Sequence, residues 1–202
     1  MRNPLVVALP QAHQDFLTDL AYVLVRWNNY EAMLSLILYS IIGGGPKADV
    51  LISEMGSTAM INAINTYAAD FTDPPLSDHL LHSTKYFERM REYRNYYIHG
   101  IKHIGGNGSL EAGGHIQTNS AKSRFVMHEQ LVAPAEIVGF AEKIEIGRAH
   151  ADQIISHLWG LQPGEAGVKP LGSLEKPSLP KRLEKPRQFL ERSAPPPEPA
   201  EE

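Results

Sequence analysis

The chain contains no cysteine. Disulfides and thiolate metal sites are thereby excluded, and the fold must be held by its apolar core. The absence also fits a reducing compartment, so the cytoplasm is the expected location. Long hydrophobic runs are missing as well. The longest, residues 34–42, is interrupted by Ser35, Tyr39 and Ser40 and falls far short of the ~20 apolar residues a membrane-crossing helix needs. A short apolar patch at residues 5–9 is closed by Pro10, with no small-residue cleavage site after it. It reads as a loose start, not a secretion signal. The third absence is excess positive charge. The net charge is −4, and residues 161–202 hold seven basic and seven acidic side chains, so the imbalance falls on residues 1–160. A general polyanion binder is basic overall; here any contact with nucleic acid must be made by a local patch.

Apolar residues make up 43% of the 202 positions, enough to build one domain with a real core. The clearest boundary is compositional. Nine of the fifteen prolines lie between Pro163 and Pro199. Such a stretch has little apolar surface to offset its ordering entropy. The expected organisation is a helical domain over residues 1–160 and a disordered proline-rich tail over residues 161–202.

Four helical stretches are predicted in the body. The first covers residues 11–42 and ends at Gly43-Gly44-Gly45-Pro46, a turn that lacks the spacing of a phosphate loop. Its seam, Leu20, Leu24, Trp27, Glu31, Leu34, Leu38 and Ile41, alternates by four and three and so falls on one face. The second covers residues 47–69, with a weak point at Gly56, and stops at Asp73-Pro74-Pro75. The third covers residues 76–98, with Gly100 as its cap. A glycine-rich stretch and strand-like runs at residues 115–118 and 124–131 then predict a small β-hairpin or meander. The fourth helix starts after Ala133, with Pro134 in its first turn, and runs to residue 159.

The third helix closes on Arg94-Asn95-Tyr96-Tyr97-Ile98-His99-Gly100. This segment resembles the signature of the HEPN superfamily: an arginine, a polar follower and a histidine four to six residues further on. Its place at a helix end, after a long first helix bearing Trp27 and Glu31, is also similar. The resemblance covers residues 16–159. It implies a mainly α, HEPN-like four-helix bundle with the β-hairpin inserted after the third helix. It also implies a metal-independent endoribonuclease, a toxin or a phage-defence effector, with Arg94, Asn95 and His99 as catalytic residues. Pairing of two motifs across a homodimer, an RNA substrate and an antitoxin or regulatory protein partner come with it. Relatives that keep such a fold as non-catalytic binding or regulatory modules are the alternative.

The residue types suit the chemistry. Cleavage without metal or cofactor uses the 2′-hydroxyl of RNA as nucleophile. Histidine takes its proton, and a permanently charged, planar guanidinium stabilises the phosphorane-like transition state. Arg94 and His99 lie about 140° apart round an ideal helix, so they meet only if the arginine reaches round or the helix ends there. Glu31, a lone carboxylate on an apolar seam, is expected to pair with Arg91 or Arg94 and to be either structural or a residue that orients the site. His99 and His103 have ligand spacing, but no carboxylate lies near them in sequence and no metal site is expected. Tyr93, Tyr96 and Tyr97 are read as core and interface filling, with stacking on bases as the functional alternative.

Overall fold

The computed structural model describes residues 10–104, 114–119, 127–161 and 163–183. It is mainly helical. The helices are α1 (Gln11–Ile41), α2 (Pro46–Ser53), α3 (Ser57–Asp70), α4 (Pro74–Gly100) and α5 (Pro134–Leu158). Three strands, β1 (Ile101–Ile104), β2 (Gly114–Asn119) and β3 (Met127–Val132), lie between α4 and α5 as an antiparallel sheet in sequence order. Ile116 is opposite Ile101 and Gln130, and the β1–β2 register shifts between Ile101 and His103.

The helix ends follow from local chemistry. Gly43, Gly44 and Gly45 all have φ between 67° and 90°, a region costly for residues with a Cβ. At Gly44 a Cβ would also lie 2.9 Å from the Tyr39 ring. The Tyr39 hydroxyl accepts the Gly45 N–H at 2.8 Å, and Pro46 opens α2. The second predicted helix is two helices, α2 and α3, separated around Gly56. Pro74 and Pro75 belong to the first turn of α4 and do not merely separate helices. Their missing N–H groups have no partner to lose there, and the Asp73 carboxylate accepts the Leu76 N–H at 3.3 Å. At the start of α5 the Glu136 carboxylate accepts the Ala133 N–H at 3.1 Å.

The four long helices share one core. Phe16, Val23, Trp27, Tyr30, Leu34 and Ile37 of α1 meet Ile61 and Ile64 of α3, Leu80, Phe87 and Met90 of α4, and Ile137, Ile144 and Ile154 of α5. The Trp27 ring lies 4.8 Å from Phe87 and 6.1 Å from Tyr30, centroid to centroid. α1 packs chiefly on α5, and the two run parallel: Arg26 pairs with Glu145 at 3.6 Å, and Trp159 donates to Ser40 at 2.9 Å. Gly147 permits this approach. A Cβ there would lie 2.6 Å from the Tyr86 ring and 2.7 Å from the Tyr30 hydroxyl, and both rings are buried. Gly147→Ala gains ~1 kcal/mol of helix propensity but overpacks by about 1–3 kcal/mol. Because neither ring can retreat, the clash should win, and the urea midpoint should fall with an unchanged slope.

The expectation of a disordered tail from residue 161 does not hold for residues 163–183. They form a strap that returns along α4 and α5, with short 3-10 turns at Glu165–Gly167 and Leu171–Ser173. Val168 is buried, and Leu171 and Leu179 pack against the core. The strap's backbone is gripped by side chains. His157 Nε2 lies 2.6 Å from the Lys169 carbonyl, His79 Nε2 lies 3.1 Å from that of Leu171, and His82 Nε2 lies 2.8 Å from that of Pro177. The Tyr93 hydroxyl donates to the Lys181 carbonyl at 3.0 Å. Gln153 accepts the Lys169 N–H at 2.9 Å, and Lys176 pairs with Asp78. Proline content is compatible with order here because an extended path bonded through its carbonyls needs few N–H donors. Residues 184–202 and 1–9 lie outside the described residues.

Candidate functional site

α4 carries the motif to its end. The last two turns hold Arg94, Asn95 and His99, and the chain enters β1 directly after Gly100. The arginine does reach round the helix. Its Nη1 lies 2.7 Å from His99 Nε2 and 3.0 Å from Asn95 Oδ1. A guanidinium only donates, so in this contact His99 Nε2 carries the lone pair and the ring proton sits on Nδ1. Asn95 and His99 are exposed, while Arg94 is half-buried. Among the described residues the Arg94 Nε is buried without a hydrogen-bond partner. Its guanidinium carbon lies 5.9 Å from the centre of the Trp27 ring, within cation–π range. The arginine thus leans on the core with one side and offers Nη1 beside the imidazole with the other. Next to it, Tyr93 stacks on Phe140 at 6.3 Å, and Tyr97 lies 5.2 Å from the same ring. Burial pushes the Tyr97 hydroxyl pKa up. Tyr97 is core and Tyr93 is half-buried.

Glu31 does not join this group. It is half-buried, and among the described residues it forms no ion pair with Arg91 or Arg94. Arg91 turns instead to the start of α3, donating to the Thr58 hydroxyl at 2.6 Å. The buried stripe of α1 runs through Tyr30, not Glu31. From Trp27 to Leu34 a four-three step passes through Glu31 and a three-four step through Tyr30. Both satisfy helical spacing; the tyrosine ring is the one the core accepts.

A second polar cluster escaped the sequence reading. His79 of α4 and His150 of α5 are only 4% and 5% exposed, and His79 Nδ1 lies 3.0 Å from His150 Nε2. The His82 ring lies 5.7 Å from that of His150. Burial pushes the His150 pKa down to about 4, with the neighbouring His79 adding to the effect, and burial likewise lowers that of His79. A hydrogen bond from Lys176 is the main cause holding the Asp78 pKa below its usual value. The signal lay in the apolar pattern of α5, where the stripe leaves a gap between Ile144 and Ala151 that Gly147 and His150 fill. Among the described residues no group of three or more histidines and carboxylates could hold a metal ion, and no helix is long and apolar enough to cross a membrane.

No protein-family model, curated protein or solved structure matches the chain.

Proposed function

We propose that the chain is a metal-independent endoribonuclease of HEPN type, acting in the cytoplasm as a toxin or phage-defence effector, with its site at the end of α4. The helical body is then a HEPN-like bundle, and the strands after α4 are its β insertion. The observation that carries this function is the 2.7 Å approach of Arg94 Nη1 to His99 Nε2. It sets a fixed cation and a proton acceptor on one exposed point, close enough to contact one phosphodiester together.

In the proposed reaction Arg94 Nη1 turns from His99 Nε2 to the phosphate, and the freed Nε2 takes the proton of a 2′-hydroxyl, whose oxygen attacks the adjacent phosphorus. Arg94 donates to the non-bridging oxygens as charge builds on them. Asn95 orients the phosphate. The P–O5′ bond breaks, and the leaving oxygen takes a proton. The products are a 2′,3′-cyclic phosphate and a 5′-hydroxyl. One motif supplies one histidine, so a second proton donor is assigned to a second copy of the chain, with both motifs facing one cleft. Light scattering at micromolar concentration should show a dimer; a monomer alone argues against this arrangement. An antitoxin or other regulatory protein would act by covering the cleft.

The test is cleavage of a labelled RNA in EDTA, followed by end-group analysis. Fragments ending in 2′,3′-cyclic phosphate are expected. Intact RNA in the presence of folded, dimeric protein would transfer the site to the alternative, a non-catalytic binding or regulatory module. One observation favours that alternative: Arg94 donates to both Asn95 and His99, so the three side chains also form an internal clasp at the helix end.

A further inference from the structure

We propose that residues 163–183 are an acid-releasable strap, held on the α4–α5 groove by the buried His79–His150 pair and let go when both imidazoles are protonated. The inference does not depend on ribonuclease activity.

The geometry gives the pair a fixed direction. His79 Nε2 faces the Leu171 carbonyl, which only accepts, so it carries a proton. In the neutral pair His79 Nδ1 is therefore the acceptor, and His150 Nε2 donates to it across 3.0 Å. One added proton can be absorbed by a tautomer change in His150. Two cannot, because an N–H would then face an N–H at that distance in a buried site. His82 and His157 differ. Each meets a single strap carbonyl and can donate to it in either protonation state. The proton-sensitive element is therefore the buried pair.

The charged and titratable groups around the pair come from three elements. Asp78 and His82 lie on α4 and His157 on α5, while Lys169, Glu175 and Lys176 lie on the strap. Lys176 opposes protonation of the pair. Asp78 favours it at His79, but that carboxylate is already engaged by Lys176. The direction in pH follows from the lowered folded-state pKa values. Both histidines titrate below their ordinary value of 6.5 in the folded chain. Their contribution is fully present above that value and is lost as pH falls toward about 4. The strap should open before the helices because it is the outer layer, held mainly by side-chain-to-carbonyl bonds and a few apolar contacts. Its far end is bonded to Tyr93, next to Arg94, so release also frees that tyrosine.

The chain's lack of cysteine makes the test direct. A single Ser178→Cys substitution in the full chain carries a fluorophore on the exposed side of the strap. Its anisotropy and the far-UV circular dichroism are followed from pH 7.5 to 4. Anisotropy is expected to fall while the helical signal persists. Among the described residues His150 bonds to no strap carbonyl, so His150→Gln removes one titrating group without removing a strap bond and should move the fall at least one pH unit lower. Loss of both signals at one pH, or the same midpoint in His150→Gln, overturns the proposal. Should the variant misfold, imidazole NMR of the wild-type chain decides. Both His79 and His150 must take up protons as the strap is released; release with either still neutral refutes the mechanism.

Discussion

Alanine at Arg94 or at His99 is expected to reduce RNA cleavage by ~10²–10⁴-fold each, the usual worth of a transition-state donor and of a general base. The two losses arise differently. His99→Ala removes the group proposed to accept the 2′-hydroxyl proton. Arg94→Ala leaves that group but removes the charge next to it. Arg94→Lys should recover only part of the loss, because an ammonium lacks the planar fork that matches phosphate oxygens. Asn95→Ala should be milder than either, since a neutral amide orients but does not compensate charge. EDTA should leave every rate unchanged. Cleavage by His99→Ala at the wild-type rate would remove the histidine from the site whatever the fold.

Truncation after Gly160 should be strongly destabilising. It removes the buried Val168, the packing of Leu171 and Leu179, and the carbonyls that satisfy His79, His82 and His157. It also opens the His79–His150 pair to solvent. Ordering of the strap opposes these gains. A net loss of about 3 kcal/mol, the upper end of the value for burying one large aliphatic side chain, corresponds to a fall in Tm of ~6–12 °C for a chain of this size. An unchanged melting temperature would mean that the strap contacts contribute nothing to stability.

Much of the helical framework was legible because its signals are local. Gly43–Gly45 needs positive φ, Pro134 suits a first turn, and the apolar stripes of α4 and α5 recur at helical spacing. The errors also have local explanations. The step from Trp27 to Leu34 is ambiguous between Tyr30 and Glu31, and only the ring's fit against Phe87, 5.0 Å away, decides it. Pro74 and Pro75 look like a stop because proline cannot continue a helix, yet the same property suits it to begin one. The strap was illegible for another reason. Its bonds to the helices end mainly on main-chain carbonyls, which every residue has, so no residue type marks it. For the candidate site, the resemblance of residues 94–100 to a known signature named Arg94, Asn95 and His99, but it could not show that the arginine spans five residues or rests against Trp27. Those facts depend on α1 and α4 being neighbours.

The pairing of α1 with α5 has a consequence for how the chain is made. The apolar face of α1, with Trp27, Leu34 and Leu38, finds its main partner in the last long helix, about 120 residues later. At synthesis rates of roughly 5–20 residues per second, that face waits on the order of 6–24 s before α5 leaves the ribosome. α3 and α4 can cover part of it meanwhile, but the parallel docking of first helix on last is a non-local contact whose loop must close late. During that interval the nascent chain is a natural client for a chaperone that binds apolar helical surface.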